Sequence, residues 1–171
     1  MDRPGRDLRN RREEMKASSP IRTAMAHELR GTGFKARGTS WYKHAPDTLL
    51  VVNLQKSLYG PQHYINLAAW VKQLGDAEFP KEYQCHIRVR ATSLPTHNAQ
   101  ALEHALNLGD EAMDTEQREA FIARFMREEA IPFLESLGTW EGIRAAVNAG
   151  KLKKGLIYKE AQALLQAPAS P

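Results

Sequence analysis

The stretch from Leu50 to Ile65 leaves the backbone few choices, because it spells an aliphatic strand, a Gly60-Pro61 turn and the start of a second strand. Thr48 to Gln55 is rich in β-branched and aliphatic residues, which suit a pleated and partly buried surface. A period of two puts Leu50, Val52 and Leu54 on one face, with Leu49, Val51, Asn53 and Gln55 on the other. Proline in the turn blocks further ladder pairing. The pattern resumes from His63 to Trp70, with Ile65, Leu67 and Ala69 on one side and Tyr64, Asn66, Ala68 and Trp70 opposite. This spacing predicts that Asn53 and Asn66 share a sheet face on neighbouring strands, a placement that a slip of one residue would undo.

The other elements follow from local signals. Ser19 as N-cap and Pro20 at the first helical position predict a helix to Arg30, with Ile21, Met25 and Leu29 on its apolar stripe and Gly31 and Gly33 ending it. Phe34 to Lys43 reads as one strand, and Pro46-Asp47 turns it into the central pair. Glu82 to Ala91 alternates Tyr83, Cys85, Ile87, Val89 and Ala91 against Gln84, His86, Arg88 and Arg90, the pattern of a strand with one wet face. That reading sends Cys85 and His86 to opposite faces.

Helices then take over. Asn98 is a candidate cap for Ala99 to Leu108, and Thr115 starts a helix bearing Phe121, Ile122, Phe125 and Met126. Pro132 would cost about 3 kcal/mol in a helix interior, so a kink or break is expected near Ala130. Thr139 can cap Trp140 to Asn148, with Ile143 and Val147 buried, and Gly155 to Gln166 reads as a last helix. The sum is an α+β fold: a four-stranded antiparallel meander sheet with helices packed on one face, an N-terminal helix first and several C-terminal helices. The connections are too short for helical crossovers.

One domain spanning 20–166 is expected, between a basic flexible extension at 1–19 and a flexible tail at 167–171. Hydrophobic residues make up 42% and charged ones 26%, which fits a soluble globular chain. No apolar run reaches the roughly 18–20 residues of a spanning helix, and the charged start lacks a signal-peptide core. With a single cysteine, Cys85, an internal disulfide is excluded, and a cytoplasmic location is expected. The net charge of +4 is unevenly spread: residues 1–40 carry ten Lys/Arg against five Asp/Glu, and residues 96–137 three against nine. Such alternation points to a polarised surface more than to a nucleic-acid binder.

Gly33-Phe34-Lys35, Arg37-Gly38 followed by Trp41-Tyr42, then Asn53-Leu54-Gln55-Lys56-Ser57 and Tyr64-Ile65-Asn66-Leu67 carry a family resemblance. The pattern resembles a bacterial family known only as a domain of unknown function, with G-F-K-x-(K/R)-G followed by N-(L/F)-Q-K-S. The Tyr64 to Asn66 spacing is one residue shorter than the family's F/Y-x-x-N strand. The resemblance spans roughly residues 21–147, includes Pro132-Phe133-Leu134-Glu135, and implies a compact α+β domain without an assigned activity.

If the aliphatic strand faces meet the helices, the opposite face collects Asn53, Gln55, Asn66, His86, Arg88 and Arg90, joined by Trp41 and Tyr64, and Lys56 follows at the strand end. Amides donate and accept, arginines offer forked donors, and an aromatic ring gives a flat platform, so an anionic or peptide-like ligand suits this set. A wet sheet face is polar in any case, and the asparagines have a plain structural use in cross-strand hydrogen bonding. Neither a Ser/His/Asp arrangement, a phosphate loop nor a metal-ligand spacing among the six histidines stands out, so no catalytic residue, metal or cofactor is assigned. The expected role is a non-enzymatic protein-binding module of the adaptor or toxin-immunity kind. The alternative is nucleic-acid or nucleotide binding through the basic sheet face and the N-terminal arm, and a hydrolase or transferase using His86 ranks last.

Overall fold

A computed structural model describes residues 19–168. The basic extension read at residues 1–18 and residues 169–171 of the tail lie outside the described residues. The strands are β1 (Lys35–Arg37), β2 (Ser40–His44), β3 (Thr48–Lys56), β4 (His63–Val71), β5 (Ile87–Arg90) and β6 (Leu156–Ile157). The helices are α1 (Pro20–Leu29), α2 (Ala99–Leu106), α3 (Thr115–Phe125), α4 (Ile131–Ser136), α5 (Trp140–Asn148) and α6 (Lys159–Gln166).

All six strands form one open antiparallel sheet in the order β1-β2-β3-β4-β5-β6. The sheet therefore has six strands, not four, for two reasons. The segment 34–43 is a hairpin, not a single strand: Gly38, at φ 62°, opens a two-residue loop between Arg37 and Ser40, where the backbone needs a left-handed angle. The last segment begins with a strand, not a helix. Gly155 lets it run tight against β5, since a Cβ there would stand 2.7 Å from the Arg88 carbonyl oxygen.

The third correction concerns 82–91. Glu82–Gln84 is a 3-10 turn and Ala91–Ser93 another, so only Ile87–Arg90 is strand. The turn breaks the alternation: Cys85 joins an apolar cluster on the same face as the His86 ring, not the opposite one.

The main core joins one sheet face, through Trp41, Leu50, Val52, Leu54, Ile65, Leu67, Ala69, Ile87 and Val89, to residues from all six helices. Each fully buried aliphatic side chain contributes about 1.5–3 kcal/mol by leaving water. In α1, Ile21, Met25 and Leu29 are buried as the stripe predicts, but Ser19 makes no side-chain cap bond. Asn98 does not cap α2 either, since its amide donates to Glu129, and α2 stops at Leu106. Thr139 does cap α5, its Oγ1 accepting the Gly142 N–H at 3.1 Å; Ala146 is buried there and Val147 is 40% exposed.

Pro132 leads to a π-helical turn at Met126–Ala130, not to a break. A proline ring crowds the carbonyl four residues back, and the wider turn relieves that contact while the helix continues.

Candidate functional site

The sheet face away from the helices changes character along β3. At one end Tyr42, Leu49, Val51, Ala68 and Cys85 form a second apolar cluster with Trp70 packed on it. The connection 72–86 covers this end: Phe79 meets the Tyr42 ring edge-on at 5.4 Å, the Tyr42 hydroxyl donates to the Pro80 carbonyl at 3.1 Å, and Trp70 Nε1 donates to the Gly75 carbonyl at 2.8 Å. The Cys85 thiol is buried and pushed up to about 12, by burial first and by Glu82 second, so it is a poor nucleophile.

At the other end the face is open and polar. Asn53 lies directly opposite Asn66, and the amides form a ladder across three strands. Asn66 Nδ2 donates to Asn53 Oδ1 at 3.1 Å and to Gln55 Oε1 at 3.0 Å, while Asn53 Nδ2 donates to Ser40 Oγ at 3.0 Å. Bonds between neighbouring strands use up the Asn53 amide, but Gln55 Nε2 and Asn66 Oδ1 have no partner among the described residues. Asparagine is rare in strands because its side chain competes with the ladder; here the competing groups satisfy one another.

Two adjoining cavities occupy this open half. The larger, about 820 Å³, runs from the β1–β2 turn at Arg37 and Gly38 past Asn53 to Phe79, Lys81 and Tyr83. The smaller, about 330 Å³, lies over β4 and β5 against the 154–156 segment. Gln55 and Glu82 line both, so together they form a trough running across the strands. Its cations are Arg37, Lys81, Arg88, Arg90 and Lys154, and its carboxylate is Glu82. Burial raises the Glu82 pKa above its usual value, with Arg88 and Arg90 pulling it back. No ion pair among the described residues involves any of these six. Aromatic rings flank all three arginines: Arg37 lies 4.0 Å from the Phe79 centroid, Arg90 4.1 Å from that of Tyr64 and Arg88 5.8 Å from that of Tyr158.

Of the residues expected to form the site, Asn53, Gln55, Asn66, Arg88 and Arg90 come together in the trough. Trp41 does not. It pairs with Val52, whose side faces the helices, and it is buried in the main core with Arg22 at 5.0 Å from its ring. Lys56 is also on the wrong parity: it follows Leu54 on the helix side and pairs with buried His63. His86 faces the correct side but lies at the covered end, its Nδ1 accepting the Val71 N–H at 2.9 Å and its ring 4.3 Å from that of Trp70. Burial holds His86 below the usual imidazole pKa, with Glu160 opposing. Sequence reasoning missed Arg37, Lys81, Glu82, Tyr83 and Lys154. All sit at strand ends or in connections, where no periodicity announces direction; only the change from Val51 to Asn53 and Gln55 along β3 hints at where the face opens.

Among the described residues no group of three or more His, Cys, Asp or Glu is placed to hold a metal ion, and no helix is long and apolar enough to cross a membrane. Fold and trough together define a small α+β meander domain with one half-open, cation-lined sheet face. A family model described as a domain of unknown function (DUF4304) matches residues 25–136, well over half of the chain, and the protein belongs to that family. The match is narrower at both ends than residues 21–147, and it contains Asn53, Gln55, Asn66, Arg88 and Arg90. No curated protein and no solved structure matches the chain.

Proposed function

We propose that this protein is a non-enzymatic binding module, of the adaptor or immunity kind, whose trough holds an acidic extended segment of another protein. The observation that carries the reading is the charge balance of the trough: five cations, none in an ion pair among the described residues, and an amide ladder surround one carboxylate. Six strands make five spacings of about 4.8 Å, so the trough measures about 24 Å, or about seven residues of extended chain. Such a segment crosses the strands and cannot extend their ladder, so side chains recognise it: Gln55 Nε2 and Asn66 Oδ1 face peptide groups, and arginines face carboxylates. A binding role also suits His86, whose Nδ1 is already occupied by the Val71 N–H, leaving the trough without an acid and base in partnership. A cytoplasmic setting fits the single unpaired cysteine.

Anisotropy titrations of dye-labelled hepta-glutamate and hepta-lysine test this. Saturable binding of hepta-glutamate alone, retained at moderate salt, is expected; equal or absent binding of both would refute it. A second reading, binding of single-stranded nucleic acid, draws on Tyr83, which is 59% exposed beside Lys81 and could stack a base. A thymidine decamer binding more tightly than hepta-glutamate, with steep loss in salt, would favour it.

A further inference from the structure

The smaller cavity has features that a generally basic surface does not require. Arg88 and Arg90 stand two residues apart on β5, so both guanidinium groups leave the sheet on the same side. The Tyr64 ring braces Arg90 at 4.1 Å. Arg88 is more constrained: its Nε is shut off from solvent and has no hydrogen-bond partner, although most buried donors are satisfied. Its pairing with Leu156 holds the neighbouring segment, and the bare Gly155 brings Lys154 in as the third cation of the cavity wall. Gln55, Asn66 and Ser93 add neutral hydrogen-bonding groups around the same space. Glu82, whose burial favours the protonated form, feels Arg88 and Arg90 but forms no ion pair within 4 Å with any of the three among the described residues.

Three cations around one cavity gain more from one bound oxyanion than from water. Charge-assisted hydrogen bonds to a carboxylate are about twice as strong as neutral ones, and the arginine fork matches both oxygens. We propose that Arg88, Arg90 and Lys154 form an oxyanion pocket that takes one carboxylate of the bound segment, either at its chain end or on an Asp or Glu side chain. This rests on the peptide-trough reading and adds which group of the partner is anchored, and where. Arg88 supplies the directional contact through the outer nitrogens of its guanidinium, since its Nε is closed to solvent; Arg90 and Lys154 supply field.

The test uses the full chain and two kinds of probe. Sodium glutarate at constant ionic strength is followed through the Arg Nε–Hε signals in nitrogen-edited NMR. The Arg88 signal should shift saturably, while that of Arg37 should not. Arg88→Lys keeps the charge and removes the planar guanidinium fork, so the pocket predicts that glutarate affinity falls about tenfold or more. Unchanged affinity in this variant, with unchanged melting, overturns the proposal, because the field alone would then suffice. The second probe is a pair of peptides, hepta-alanine with a free carboxylate and hepta-glutamate amide. Loss on Arg88→Lys of the first assigns the chain end, and of the second a side chain; loss of neither, with loss of both on Arg37→Ala, overturns the pocket. If no peptide binds the wild-type chain yet glutarate saturates the Arg88 shift, the pocket stands and the trough reading fails.

Discussion

Replacing Arg118 by methionine should destabilise the fold by about 3–4 kcal/mol. Arg118 is 3% exposed and donates to five carbonyls: Nη1 to those of His104 (3.0 Å), Ala105 (2.6 Å) and Asn107 (2.8 Å), and Nη2 to those of Asp110 (2.9 Å) and Met113 (3.0 Å). It thus ties the end of α2 and the connection to the start of α3. No carboxylate among the described residues comes within ion-pair distance of it; the carbonyls at the negative end of α2 balance most of its charge, with the Asp110 carboxylate adding a longer-range attraction. Adding five charged hydrogen bonds at about 1.5–3 kcal/mol each would reach the stability of a whole domain, so simple addition overshoots. The end state decides instead. Methionine fills most of the volume and removes the cost of burying a cation, and carbonyls in the 107–113 connection regain water. The Ala105 carbonyl, on a fully buried residue, does not, and a stranded group costs about 1–3 kcal/mol. Loss of order in the connection makes up the rest. At about 2–4 °C per kcal/mol for a chain of this size, the melting point should fall by about 10 °C. Thermal unfolding followed by circular dichroism reads this, with hydrogen exchange over 107–113 as the local report. Arg118→Lys has three donors for five acceptors and should recover only part. A melting point for Arg118→Met within 2 °C of wild type, or full recovery by lysine, would refute the argument.

Three further outcomes are open to direct measurement. Val52→Asp puts an unpaired charge at a fully buried position in the sheet core and should cost about 4 kcal/mol or more, abolishing soluble expression or the cooperative melt. Glu82→Gln removes the single carboxylate of the trough and should tighten hepta-glutamate binding about twofold to fivefold at low salt; weaker binding would show that Glu82 contacts the ligand itself. Burial depresses His86 and His63 below 6.5, with Glu160 opposing at His86, the Pro61 carbonyl bond opposing at His63 and Lys56 adding to the fall there. The unfolded chain therefore binds protons first as pH drops, so stability is full above about pH 6.5 and falls below it, by at most about 1.4 kcal/mol per pH unit for each group. Glu82, raised above 4.5, acts in the opposite direction at lower pH. His86→Asn keeps an acceptor near the Val71 N–H without titrating, so its melting point should lose less than wild type between pH 7.5 and 5.5; equal losses would exclude His86 as a source.

The two central strands and their facing asparagines were legible because period-two alternation between β-branched residues fixes both strand and face, and a one-residue slip would expose Leu50, Val52 and Leu54. The hairpin at Gly38-Thr39 was concealed by alternation on both sides of the turn, which reads as one longer strand. Trp41 was misplaced for that reason: without a register to Val52, its direction is a free choice. Short elements such as β6 have too few residues to show a period. The two-sided burial of the sheet was hidden because apolar residues on the second face look like core residues of the first, and only tertiary packing separates Val51 from Val52. Arg118 had an unread signal. It stands four and seven residues before Ile122 and Phe125, on the stripe that α3 buries, and an arginine there demands many acceptors.

The family match ends at residue 136, whereas Lys154, Gly155 and Leu156, which wall the smaller cavity, come from the segment beyond it. The amide ladder and both trough arginines of β5 thus lie within the matched residues, and a strand from beyond them finishes one end of the groove. Sequence change confined to residues 154–156 would reshape the smaller cavity while the rungs of Asn53 and Asn66 stay untouched.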